Sequence, residues 1–487
     1  MKSKELIKLY KENQLVKTIA ASIKPNEGNN IRLKGLAGSL DALVSASTYG
    51  INHQNHLFIL HEKEDAAYFF NDLQNLMESK EILFFPTSYK RPYQFEETEN
   101  ANILMRADIL NKINHKASTG ELIVTYPEAL TEKVINKRSL RENTLSAKVG
   151  DKLDMAFISE LLISYDFEKT DFVYEPGQFA VRGGIIDIFS FARELPYRIE
   201  LFGDEVESIR LFEPESQLSV EDIKEINIIP NVQTRLLKEE RQSFLDYIPN
   251  NTKIWIKDYQ HTLDIIEKYF ERASESFDML MKESGESQVV FGPEALFETV
   301  ESFEKGLESL TKIEFGNRFY MPTDQVFTFN TSSQPEFHKK FDLVVESLNE
   351  FQDKGYTKII SAESPQQIER IKTIFEETDP HLKFSDLNVG IRAGFIDHDY
   401  ELLCYTDHQI FERYHRYKVR KKHSKSKALT LKELKTLQPG DFVVHVDHGV
   451  GRFAGMDTKE VNGNKQEVLR LIYRDDDLLF ISVHALH

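Results

Sequence analysis

The stretch FVYEPGQFAVRGGIIDIFSFARELPYRIELFGDEVESIRLF, Phe172 to Phe212, decides how the rest of the chain is read. Apolar and polar residues alternate over QFAVR, IIDIF, YRIELF and EVESIRLF, which predicts short strands; Gly183-Gly184, Pro196 and Gly203-Asp204 are the breaks between them. Turns this closely spaced make a compact antiparallel β module. Because side chains alternate across a strand, an inward Tyr197, Ile199 and Leu201 puts Arg198, Glu200 and Phe202 outward. Arg182 falls outside too, opposite in sense to Phe179 and Val181. Two arginines and an aromatic on one sheet surface have the composition of a protein-interface hot spot. The competing reading packs Phe202 under a neighbouring domain and leaves the arginines solvated. IELFGDEV also imitates an ATPase strand ending in Asp204 and Glu205, but such a strand is buried on both faces, whereas Arg198 and Glu200 interrupt this one every second residue.

At 487 residues the chain predicts several domains, and 40% hydrophobic with 29% charged residues is a globular composition. Its formal charge of −18 argues against nonspecific duplex binding, which needs clustered Lys and Arg. Cys404, in the apolar run ELLCYTD, is the single cysteine, so a disulfide framework and a cysteine-rich zinc site are both excluded and a buried structural thiol is expected. No apolar run is long enough to span a bilayer and the N-terminus carries no cleavage signature, so a soluble, cytoplasmic protein is expected.

Upstream of the module, IRLKGLAGSLDALVSASTYG reads as a strand at Ile31 to Lys34, a glycine turn, and a helix capped by Ser39 and ending before Gly50. Strand, turn and helix in that order are the geometry of a phosphate-binding loop. Laid on G-x-x-x-x-G-K-[ST], however, Gly35, Gly38 and Ser39 are followed by Leu40, Asp41 and Ala42 where glycine, lysine and hydroxyl belong. Asp41 repels phosphate where a cation is required, so ATP hydrolysis is not expected here. The alternative is a chance glycine turn. HLFILH (56–61), EILFFPT (81–87) and ELIVTYP (121–127), separated by helices near 64–78 and 98–114, predict a mostly parallel α/β sheet. The α/β signal resumes after about residue 216, with NTKIWIKDY (251–259) and SQVVFG (287–292) as strands and Trp255 as core, which makes the β module an insertion.

From about residue 332 a second small α/β unit follows, with no nucleotide motif; a spacer or inter-domain clamp is its default role. RYHRYKVRKKHSKSK, Arg413 to Lys427, has no acidic residue and reads as a solvated linker or as a basic segment near DNA. The last residues, from QPGDFVVHVDHGVGRFAGM onward, are short strands between Gly and Asp turns, as in a small twisted SH3/Tudor-like barrel. His445 and His448 lie on opposite strand faces without a third ligand nearby, so no metal site is expected.

GQFAVRGGIIDIFSFARELPYRIELFGDEVESIR resembles the inserted second domain shared by the B component of the nucleotide-excision-repair excinuclease and the bacterial transcription-repair coupling factors; DFVVHVDHGVGRFAGM resembles the latter family's RNA-polymerase-interacting domain. The resemblance implies an N-terminal part of that family, organised as a degenerate nucleotide-binding-like α/β domain (1–125 and 216–330), an inserted β module (126–215), a small α/β domain (331–412), a basic linker (413–432) and a polymerase-interacting barrel (433–487). It implies that the damage-recognition ATPase of the excinuclease, its A component, docks on Arg182, Arg198 and Phe202, and that these are accessible in this chain. It also implies that the β subunit of RNA polymerase pairs a strand with an exposed edge, placed here at Met456, Asp457, Thr458, Lys459, Glu460 and Val461 because alternation is poor there and charge is high. The family's ATP- and magnesium-dependent motor, the main DNA contact, would lie beyond His487, leaving this chain a recruitment scaffold without cofactor or catalytic residue. Two other classes stay open, a nucleotide-binding P-loop ATPase and a nucleic-acid-binding module using the basic linker.

Overall fold

In a computed structural model of the chain, the apolar strands of the first α/β domain pair entirely in parallel. The order is Gln325–Thr328, Asn30–Lys34, Lys312–Gly316, Lys253–Lys257, His56–Ile59, Leu122–Thr125 and Ile82–Phe84. The structure describes all residues except 1, 24–27, 89–91, 94–99, 116–119, 143, 166, 192–194, 230–239, 285–290, 414–438, 446–448, 462–463, 474–476 and 483–487. Strands from both sides of the β module share this one sheet, so residues between Thr125 and Lys253 leave it and return. Trp255 sits in its core and donates from Nε1 to Nδ1 of His56, 2.8 Å away. Burial pushes the His56 imidazole down to about 3, which keeps it neutral as that bond requires. The SQVVF part of the expected strand at 287–292 lies mostly outside the described residues.

The β module is a six-stranded sheet in the order Ser219–Ile223, Glu205–Phe212, Tyr197–Phe202, Ile185–Ile188, Gln178–Arg182 and Glu168–Lys169. All its pairings are antiparallel except the last, which is parallel. One face carries Phe179, Ile186, Ile188, Tyr197, Ile199, Leu201, Val206 and Ile209, packed on Ile158 and Leu162 of the helix Met155–Ser164. Asp154 starts that helix by accepting from the amides of Ala156 and Phe157.

The second small α/β unit is a five-stranded sheet in the order Thr331–Ser333, Phe395–Asp397, Leu402–Thr406, Thr357–Ser361 and Ser385–Leu387. Helices Phe341–Asp353 and Pro365–Thr378 cover it, the latter opened by a capping box between Ser364 and Gln367. Cys404 is buried in its central strand, and burial pushes the thiol up to about 12, the environment of a structural thiol. Chain contacts divide the molecule into Met1–Val419 and Arg420–His487. The second body contains four antiparallel strands, Phe442–His445, Gly449–Val461, Asn464–Ile472 and Leu478–Ser482, paired in that order. Of the basic linker, 414–432 lies outside the described residues, as does His448. No described helix is long and apolar enough to cross a membrane.

Candidate functional site

The outer face of the β module is a charge ladder. Register places Asp187 opposite Arg198, Arg198 opposite Arg210, and Arg210 opposite Asp222, one residue per strand. Two arginines directly opposed would repel. Asp187, fully buried, offsets this by binding Arg198 twice, through Nε to Oδ1 at 2.8 Å and Nη2 to Oδ2 at 2.9 Å, while also pairing with Arg182. Arg210 pairs with Glu200, whose carboxyl is held below its usual range by bonds from Ser208 and Arg210.

This corrects the expectation of three accessible side chains. Arg198 also donates to the Gln217 carbonyl at 2.9 Å and lies 4.3 Å over the Phe212 ring, leaving its side chain 15% exposed. Arg182, stacked over Phe172, is 35% exposed. Of the three, Phe202 is open, 81% exposed beside Gly203 at the hairpin tip, and among the described residues of its unit nothing packs over it. Strand alternation gave the correct face for all three but not what stands on that face. Asp187 was the missed residue; its signal was an acid set among three isoleucines in IIDI, where an unpaired carboxylate would be costly.

The glycine loop is the second candidate. Gly35 and Gly38 have positive φ, +78° and +55°, and the helix Leu40–Asn52 follows, running through Gly50 rather than ending before it. Ser39 makes no side-chain cap. Its Oγ instead accepts from the Ala393 amide at 2.9 Å and its own amide donates to the Ala393 carbonyl at 2.9 Å. A Cβ on Gly38 would stand 2.4 Å from the Gly394 carbonyl oxygen, so protein backbone fills the mouth of the loop. Asp41 is turned inward, its carboxyl raised by burial against the pull of Lys257, whose Nζ is 3.8 Å away. A cationic ligand suits this lining; a phosphate does not. We therefore expect calorimetric titration with magnesium and ATP to show no binding, even in an Asp41→Lys, Ala42→Thr variant, because backbone occupies the loop. Micromolar binding by that variant would show the loop to be open.

In the C-terminal sheet the expected edge is only half an edge. Met456 to Val461 pair with Leu469 to Asn464, while Phe442–His445 reaches only Arg452 to Gly449. Among the described residues the other side of 456–461 has no strand partner. Of these six side chains only that of Asp457, which is exposed, is described.

A family model described as UvrB interaction domain matches residues 145–233, and one described as CarD-like/TRCF RID domain matches residues 437–487. The chain is 22% identical over 528 residues to the transcription-repair-coupling factor of Bacillus subtilis (strain 168), covering 93% of this chain and 44% of that protein. It is 24% identical to the factor of the same name in Staphylococcus epidermidis (strain ATCC 12228 / FDA PCI 1200), over the same shares, and 24% identical to that of Staphylococcus aureus (strain Mu50 / ATCC 700699). It thus spans less than half the length of the curated relatives it matches. Both domain matches in this order, and relatives of one name aligned along 93% of its length, make the chain similar to part of the transcription-repair-coupling factors.

Proposed function

We propose that this chain is a recruitment scaffold of transcription-coupled excision repair, binding the excinuclease's damage-recognition ATPase through the β module and the β subunit of RNA polymerase through the C-terminal sheet. The exposure of Phe202 carries the first half. A phenylalanine 81% open at a hairpin tip, on a sheet otherwise neutralised by internal ion pairs, has no folding role to explain it and is the anchor expected of a protein interface. Arg182, at the margin of the ladder, adds charge to this contact; Arg198 acts mainly by holding Asp187 and hence the sheet. The strand Met456, Asp457, Thr458, Lys459, Glu460 and Val461 supports the second half: its backbone pairs with Leu469 to Asn464 along one side, and a polymerase strand would add along the other.

On this reading the first α/β domain is a decayed P-loop-like unit, the C-terminal sheet is SH3/Tudor-like, the domain boundaries fall at 125, 330, 412 and 432, with the module's end moved from the expected 215 to beyond Ile228 because Ser219–Ile223 and Glu225–Ile228 pair within it, and the protein works in the cytoplasm. ATP, magnesium and most DNA contact belong to motor domains outside this chain, which by itself is not an enzyme. Binding of the purified damage-recognition ATPase tests the module: Phe202→Ala is expected to weaken it by at least ~2 kcal/mol, about thirtyfold. Equal affinity for wild type and Phe202→Ala would remove Phe202 from the interface and with it the main support for this half of the proposal.

A further inference from the structure

The loop that lost its phosphate chemistry has a ligand, and the ligand is part of the same chain. Gly390-Ile391-Arg392-Ala393-Gly394, between two strands of the second α/β unit, lies across the loop and the helix Lys63–Leu76. Its backbone is bonded group by group. Asn75 Nδ2 donates to the Gly390 carbonyl at 2.7 Å, the Arg392 amide donates to Asp72 Oδ1 at 2.8 Å, and Ser39 takes both polar groups of Ala393. From its own unit, His408 Nε2 meets the Arg392 carbonyl at 2.8 Å and the Gly394 amide donates to Gln409 Oε1 at 2.6 Å.

The side chain of Arg392 is read as well. It pairs with Asp65 at 2.5 Å and lies 4.9 Å over the Tyr68 ring. Asp65, Tyr68, Asp72 and Asn75 recur at spacings of three and four along one helix and form a stripe, every member of which touches the Gly390–Arg392 segment. Around the stripe, Asp41 and Lys257 complete the charge, Lys257 standing 3.8 Å from Asp41 and 4.0 Å from Asp65. Glycine is required where the two backbones meet: a Cβ on Gly38 would stand 2.4 Å from the Gly394 carbonyl oxygen and 2.8 Å from that of Ala393. Beneath the segment, Val389, Ile391, Phe395 and Cys404 join the hydrophobic core of the first domain.

We infer that the former phosphate loop, with the Asp65–Tyr68–Asp72–Asn75 stripe, has become a peptide receptor whose built-in ligand is Gly390–Gly394, and that this contact clamps the second α/β unit onto the first and closes the crevice to nucleotides. The Ala393 carbonyl takes the amide of Ser39 at the helix start, where a phosphate oxygen would accept it, and the acidic lining selects the arginine. The inference stands apart from the recruitment reading, since it involves neither the β module nor the C-terminal sheet.

The single cysteine reports on the clamp. Cys404 is fully buried in the core that holds Val389, Ile391 and Phe395 against the first domain, so a thiol reagent reaches it only when that packing opens. In the 487-residue chain, Arg392→Ala and Ser39→Ala are each expected to raise native-state Cys404 labelling and amide exchange across 389–394 at least tenfold. Exchange in His56–Ile59 should stay at the wild-type rate, and Arg392→Lys should fall between. Arg392 is partly exposed, so its variants retain the fold. Unchanged labelling and exchange in both alanine variants would overturn the inference. So would an equal rise in His56–Ile59, which would mark global loosening instead of local release.

Discussion

Asp187→Ala is expected to destabilise the β module by about 3–5 kcal/mol, the usual consequence of removing one partner from a buried, hydrogen-bonded ion pair. The carboxylate is fully buried and takes two bonds from Arg198. Without it, that guanidinium is left largely enclosed over Phe212 and directly opposite Arg210. Arg182 adds little to the figure, because its third-exposed head can turn to water. Urea unfolding followed by amide exchange over Phe179–Phe212 measures the loss. Phe202→Ala, by contrast, should stay within ~0.5 kcal/mol of wild type, as a surface change does. On the proposed recruitment function, the pair separates folding from recognition: a failure of Arg198→Ala to bind the damage-recognition ATPase would report on the sheet as much as on the proposed contact, whereas Phe202→Ala would report on that contact alone. An Asp187→Ala protein within ~1 kcal/mol of wild type would mean that water, and not the carboxylate, neutralises the ladder.

The second large effect is a pH dependence centred on the clamp. Burial raises the Asp72 carboxyl from its ordinary 3.8 to about 7, against the opposing pull of Ser39 and of the Arg392 amide; Asp41 raises it further and the Arg392 cation lowers it. Asp41, raised by burial, acts in the same direction, with Lys257, Arg392 and Asp65 around it. A raised folded-state value means that between 3.8 and about 7 the folded chain holds a proton the unfolded chain has released. Stability from this group is therefore greatest below pH 4, falls as pH rises through that window, and is level above about 7. Three pH units at ~1.4 kcal/mol each set an upper bound of roughly 4 kcal/mol. Asp72→Asn keeps an oxygen for the Arg392 amide and removes the titration, so the variant should gain on wild type steadily from pH 4 to 7. Urea midpoints of both proteins across pH 4–8 give the difference directly. A flat difference, or a variant that loses ground as pH rises, would show that Asp72 does not carry the buried proton.

Sequence alone was enough for several elements because their physics is local. Period-two alternation in YRIELF fixed which of its side chains face the module's core, and continuous apolar runs fixed the parallel sheet. That an acid, Asp41, follows the glycine turn was legible in the same way, and the structure sets its carboxyl 3.8 Å from Lys257. Tertiary structure decided the rest, through contacts between residues far apart in the chain. Arg198 reads as solvent-facing from alternation, yet Asp187, Gln217 and Phe212 enclose it, and only strand pairing brings them there. Ser39 reads as a helix cap because it precedes a helix; it serves Ala393, 354 residues away, because a backbone segment with its own unpaired groups arrives at that spot. A sequence states what each residue can bond to, but when several partners satisfy the same donor, packing of distant segments chooses among them.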